Sequence, residues 1–357
     1  MMQIKNIRKS IKIVLIAAAG LLVVFGGFIV YWEAASPQTT CTSCHEIESP
    51  ASMWAASGHR SMPCKECHET AFSGGLHSLV EKGMMVVHHF AGGGERTVRL
   101  DEVQINSLLD NCKKCHEMEY AKWLSGGHSA PYSAIYLNEK HNRAVQPNAD
   151  CLRCHGMFFE GTITDLVSPV NTKGPWKILN PEQATMPVIP CLACHEIHRQ
   201  GAVTTRADYS DPKKIYYSAP ARSSAALFYN RYEKAHIETD NLPALKLWEE
   251  ERQVDVSDEP LQRICVQCHA PNAFHQAGTS DDRTPRGIHE GLSCQSCHEG
   301  HSNDPRQSCA NCHPAISNCG LDVMKMNTTF ADKNSPHNIH SMRCVDCHTK
   351  GIPRKRA

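Results

Sequence analysis

The sequence predicts a mainly α fold with extensive loops behind a single N-terminal transmembrane helix, and three observations predict it. The first is a charge-free run from Ile13 to Trp32. The second is a short motif, Cys-x-x-Cys-His, whose two cysteines sit about one helical turn apart and which recurs along the chain. The third is the recurrence of Gly, Pro, Ser and Asn between these motifs, which favours short helices joined by loops over long regular elements. Aromatic residues are only 6%, so the side chains alone supply little bulk for a core.

Length and charge narrow the classes. A chain of 357 residues has room for two or three domains. Its 37 Lys and Arg balance 37 Asp and Glu, which excludes the basic excess of a nucleic-acid binder and the charge imbalance of a disordered chain. The unusual counts are 19 Cys and 22 His. A reduced cytosolic enzyme rarely carries so many cysteines, and a disulfide scaffold would leave the histidines unexplained.

Nine motifs account for almost all of the cysteines. They are Cys41-Cys44-His45, Cys64-Cys67-His68, Cys112-Cys115-His116, Cys151-Cys154-His155 and Cys191-Cys194-His195, then Cys265-Cys268-His269, Cys294-Cys297-His298, Cys309-Cys312-His313 and Cys344-Cys347-His348. Only Cys319 is left over. Random order at this composition would give about 0.06 such motifs, so the pattern is not chance. The spacing is the attachment signal of haem c. Two thiols on one face suit thioether bonds along one porphyrin edge, and the adjoining His supplies an imidazole to iron. Zinc sites built from Cys pairs would not need His at the next position every time. The motifs therefore predict nine haem c groups, and a fold organised around stacked haems whose faces replace the missing aromatic core.

Thirteen further histidines are candidate distal ligands: His59, His77, His88, His89, His128, His141, His198, His236, His275, His289, His301, His337 and His340. Nine of them would cap nine irons. Two imidazoles saturate an iron and suit electron transfer, whereas an enzyme that binds substrate at iron needs an open position. His59, His141, His289 and His340 each lie shortly before a motif, a common place for a ligand to a neighbouring haem. His88 and His89 are adjacent, so one can ligate while the other faces away.

The apolar run from Ile13 to Trp32 would span about 30 Å, the thickness of a bilayer core. Lys5, Arg8, Lys9 and Lys12 precede it, and Tyr31 and Trp32 stand at its far end. The positive-inside rule puts residues 1–12 in the cytoplasm and the haem-bearing chain on the periplasmic side of the inner membrane. A cleaved signal peptide is the alternative, with Ala34 and Ser36 at a weak cleavage site, but its apolar core would be shorter. After the anchor, the motifs divide the chain into a two-haem region at 33–100, a three-haem region at 101–200, a haem-free insert at 201–262 and a four-haem region at 263–357. Within the insert, Ala221 to His236 and Pro243 to Gln253 read as helical, with Leu227, Tyr232 and His236 at helical spacing. The acidic run Glu249 to Glu251 reads as a solvated face.

Two resemblances add to this reading. The anchor, Cys41-x-x-Cys44-His45, Trp54, Ser57, His59, Cys64-x-x-Cys67-His68, Lys82, Gly83 and His89 follow one another as in the NapC/NirT family of membrane-anchored quinol dehydrogenases, which the stretch from Cys41 to Phe90 resembles. The third motif, Cys112-Lys-Lys-Cys115-His116, also fits. That resemblance implies a first haem near the membrane surface that oxidises quinol, with Lys82 as a possible quinol contact beside the plainer reading of a snorkelling lysine. Where some members carry a ligating Met after the first motif, this chain has Ile47; Met118 takes the equivalent place after the third. The middle of the chain is similar to the cytochrome c554-like and multihaem nitrite/hydroxylamine group through Trp123, Ser125, His128, His141, Cys151-Leu-Arg-Cys154-His155-Gly156 and His198. That group contains both carriers and enzymes.

The sequence therefore predicts a membrane-anchored nonahaem cytochrome that takes electrons from the quinol pool or an integral membrane partner subunit and passes them to a periplasmic redox partner. The alternative is a nitrite- or hydroxylamine-type oxidoreductase with one open haem; no Cys-x-x-Cys-Lys signature supports it. A released filament subunit is disfavoured by the anchor. Cys319 reads as a buried small hydrophobe, with a haem ligand or an intermolecular bridge as alternatives.

Overall fold

The computed structural model describes residues 2–34, 42, 45–68, 83–84, 87, 89–91, 100–199, 226–271, 282–302 and 338–351. The chain divides into two compact units, Met1–Arg99 with His198–Gln200, and Leu100–Ile197 with Gly201–Ala357.

In the first unit, helix α1 runs over Met2–Ala34. Its stretch Ile11–Tyr31 has a mean hydropathy of 2.9 and buries none of its side chains in the protein, so it is long and apolar enough to cross a membrane. Helix α2 spans His45–Ala56 and accommodates Pro50 in its interior, at the loss of one backbone donor. Buried Ser57 closes this helix: its hydroxyl donates to Trp54 O at 2.8 Å and accepts from His59 N at 3.1 Å. Helix α3 is the single turn Lys65–His68.

The second unit opens with α4, Glu102–Lys113, because Asp101 and Gln104 form a reciprocal capping box at its N-terminus. Ile105 and Leu109, one turn apart, point its apolar face inward. Helix α5, Glu117–Leu124, buries Trp123, whose indole donates to Ile189 O at 3.1 Å. Short helices α6 (Tyr132–Tyr136), α7 (Glu139–Ala144), α8 (Cys151–Cys154) and α9 (Ile163–Leu166) follow. Strands β1 (Val167–Ser168) and β2 (Lys177–Ile178) pair antiparallel beside them. Tyr132, Leu152, Leu166, Val167 and Val188 form one apolar cluster, and Ile105, Met157, Phe158, Leu192 and Phe228 form another. Each such side chain contributes roughly 1.5–3 kcal/mol by leaving water.

Where they are described, the two stretches of the insert that read as helical form β-hairpins instead. Leu227–Asn230 (β3) pairs with Ala235–Glu238 (β4), and Leu247–Glu249 (β5) pairs with Arg252–Val254 (β6). The helical spacing of Leu227, Tyr232 and His236 misled because local turn chemistry dominates. Asn230 Oδ1 accepts from the backbone of Tyr232 and Glu233 and folds the first hairpin. Lys234 and Glu250 take positive φ values of 51° and 54°, which a helix would not allow. The acidic run Glu249 to Glu251 is exposed, as a solvated face should be, with Glu249 paired to Arg252 at 3.1 Å and Arg286 at 3.2 Å. Beyond the hairpins come α10 (Pro260–His269, with Pro at its first turn), α11 (Cys294–Cys297) and α12 (Cys344–Cys347). The segment around Gly287 runs beside the one preceding α12: Arg286 N donates to His340 O at 2.6 Å and Ile288 N to Met342 O at 2.9 Å.

Candidate functional site

The motifs share one local geometry. The imidazole-bearing residue donates its backbone N–H to the carbonyl of the first cysteine in six of them: His68 to Cys64, His116 to Cys112, His155 to Cys151, His195 to Cys191, His298 to Cys294 and His348 to Cys344, at 2.8–3.0 Å. This closes one helical turn, so both thiols lie on one side with the histidine directly beyond. The described motif cysteines are free thiols.

Four motif histidines face a second imidazole drawn from elsewhere in the sequence. Ring centres of His68 and His198 lie 5.8 Å apart within the first unit. In the second unit the pairs are His269 with His128 at 6.1 Å, His195 with His301 at 5.9 Å and His298 with His340 at 6.1 Å. Two iron–nitrogen bonds of about 2 Å, plus about 1 Å from each nitrogen to its ring centre, put ring centres about 6 Å apart in a bis-imidazole site. The residues present therefore fit haem c: two thiols for its edge and two imidazoles for its iron.

The imidazoles are prepared for that role. His340 Nδ1 lies 3.2 Å from Asn338 Oδ1, which fixes the ring and leaves Nε2 as the iron-binding nitrogen. His289 Nδ1 is held in the same way by Ile339 O at 3.2 Å. Burial, reinforced by neighbouring imidazoles and Arg283, holds His269 down at about 4. Burial and Arg283 hold His340 down at about 4. Burial also lowers His128 and His301. All four are thus neutral at pH 7, the form that binds metal.

Different motifs also meet one another. The thiol of Cys112 neighbours that of Cys191, Cys154 that of Cys268, and Cys265 that of Cys294, near enough to shift one another's ionisation. Arg153 beside Cys154 donates to Gln267 O in α10, and Cys294 N donates to Gln262 Oε1 at 2.9 Å. Around the fourth motif, Arg231 donates to the carbonyls of Gly156, Phe159 and Gly161, so the first hairpin clamps the chain leaving His155. Beneath it, the Glu102 carboxylate accepts from Tyr132 Oη at 2.5 Å and Gln183 Nε2 at 2.6 Å, and burial raises its pKa.

Of the thirteen distal candidates, the structure brings His128, His198, His301 and His340 opposite a motif histidine. His59 sits in the turn after α2. His89 stands edge-on to Phe90 at 5.3 Å. His141 is exposed on α7 and makes no ring contact among the described residues. His236 Nε2 lies 2.6 Å from Leu192 O and its ring meets Tyr229 edge-on. His77, His88, His275 and His337, with Lys82, Cys319, Cys41, Cys44 and the motif Cys309-Cys312-His313, lie outside the described residues, as do the side chains of His45 and Cys347. Sequence reasoning missed Arg231, Asn338 and Glu102. The position three residues after a motif histidine was the signal that finds both His198 and His301.

Comparison with known families agrees with this chemistry. Residues 35–209 match the family model of outer membrane cytochrome MtrC/MtrF-like domains II/IV. Residues 247–314 match the family model of cytochrome c3. No curated protein and no solved structure matches the chain. Two separate cytochrome matches, nine Cys-x-x-Cys-His motifs and opposed imidazoles lead to one conclusion: the chain is a multihaem c-type cytochrome, whose function is electron transfer through its haems.

Proposed function

We propose that this protein is a membrane-anchored nonahaem cytochrome, related in role to the NapC/NirT quinol dehydrogenases. It takes electrons from the quinol pool or an integral membrane partner and delivers them to an acceptor on the periplasmic side. The observation that carries the reading is the set of four opposed imidazole pairs, each of which would cap a haem iron on both faces and leave it no open position for substrate. When bound, haem c supplies a one-electron iron couple. The chain's own residues then do the remaining work. The Cys pairs fix each porphyrin edge, the histidines hold the iron at constant coordination, and the apolar clusters keep water away. The apolar helix Ile11–Tyr31 supports attachment to a membrane, with Lys82 as the candidate quinol contact.

The test is reduction of the haems by a quinol analogue in native membranes, followed by absorbance. Full-length protein is expected to be reduced; no reduction with membrane and partner subunits present would contradict the quinol role. The match of residues 35–209 to an outer-membrane cytochrome model favours a second reading, in which the apolar helix is a signal and the mature chain lies at the outer membrane or beyond. Fractionation of inner and outer membranes separates the two.

A further inference from the structure

The segment His298-Glu299-Gly300-His301 carries two imidazoles that face different partners. His298 opposes His340 with ring planes 3° apart, and His301 opposes His195 with planes 22° apart. We propose that this one segment ligates two irons: His298 binds the iron of its own motif with His340 as the opposite ligand, and His301 binds the iron of the haem attached at Cys191 and Cys194, opposite His195. The proposal rests on the haem-attachment reading of the motifs.

Chain geometry excludes the simpler arrangement. Two ligands of one iron approach from opposite faces of a porphyrin, so the chain between them must round its edge. Three residues reach at most about 10–11 Å fully extended, and this segment is not extended. It turns: Ser302 N donates to Glu299 O at 3.2 Å. The turn is held from outside by Lys122 on α5, whose ammonium meets Glu299 Oε2 at 3.0 Å. His298 and His301 therefore project to two sites. The same spacing recurs at His195 and His198, whose rings face His301 and His68. The seventh motif with His301 thus acts as a two-iron clip, its first His serving its own motif and its second serving another. The distal ligand of the fifth motif comes from more than a hundred residues downstream, so that site is complete only once the seventh motif has folded.

The test uses the full-length, haem-loaded protein and reads spin state by electron paramagnetic resonance and carbon monoxide bound per chain after reduction. His301→Ala and His340→Ala are each expected to convert one low-spin iron to high spin and to add one carbon monoxide site; the double variant adds two. In a Cys191→Ser/Cys194→Ser background, His301→Ala should add none while His340→Ala still adds one. Free imidazole should restore the low-spin signal of His301→Gly, which a merely structural histidine would not show. A new carbon monoxide site from His301→Ala in the background lacking the fifth haem overturns the proposal, as does a low-spin spectrum unchanged by His301→Ala. A wild-type chain whose Cys191–His195 peptide carries no haem overturns instead the attachment reading beneath it.

Discussion

Gly287 lies outside every motif, and its replacement by alanine gives a demanding prediction. Its φ is +67°, a left-handed conformation that costs an L-residue about 1–2 kcal/mol. A Cβ there would stand 2.9 Å from the carbonyl carbon of Met342 and closer still to its oxygen, where real Cβ atoms are not found. The flanking bonds from Arg286 N to His340 O and from Ile288 N to Met342 O cannot both survive the required retreat, on the order of 1 Å for a hard backbone contact. His340 lies on the displaced segment, its ring 6.1 Å from that of His298, and an iron–nitrogen bond of about 2 Å does not stretch by half its length. Gly287→Ala is therefore expected to lose at least 1–2 kcal/mol of stability and to turn the His298 iron high spin, matching His340→Ala. The assays are thermal unfolding and electron paramagnetic resonance. A Gly287→Ala protein that keeps every low-spin signal would refute the reasoning.

Three further outcomes follow from the same contacts. Arg231→Met removes charged donors from three carbonyls after His155 and should cost about 3 kcal/mol, read as a fall in Tm; a shift under one degree would show the clamp to be idle. Lys122→Ala breaks an exposed ion pair and should change stability by no more than about 1 kcal/mol, an effect that high salt reproduces in wild type. Glu102 has a folded pKa raised above its ordinary 4.5 by burial, so it contributes stability below that value and loses it as pH rises through the raised one. Glu102→Gln should flatten that part of the Tm–pH profile; a profile unchanged in slope would place the dependence elsewhere.

The cofactor was legible in the sequence because its attachment chemistry is local. Cys-x-x-Cys-His needs only one helical turn, and Cys64–His68 and Cys294–His298 build that turn by themselves. Distal ligation is not local. His128 reaches His269 and His340 reaches His298 through tertiary folding, and spacing from the next motif carries no direct information about that. Proximity in sequence favoured His141, which is exposed, as strongly as His340, which faces an imidazole. The insert misled for a related reason. Apolar residues in short hairpins mimic helical spacing over a few positions, and the deciding features, the Asn230 turn and left-handed Lys234 and Glu250, lie between them. The charge balance also reads differently with cofactor attached. Nine haems would bring two propionates each to a chain with no net charge, so the assembled protein is expected to be acidic.

The central claim is that each of the nine motifs carries a covalent haem. The most direct measurement is the intact mass of the mature protein purified from its membranes, with peptide mapping of each motif. The account predicts a mass above that of the polypeptide by nine haems, with every Cys-x-x-Cys-His peptide modified and the Ile11–Tyr31 segment still present. A protein with fewer than nine haems, or with any motif cysteine pair found as free thiols, would contradict it.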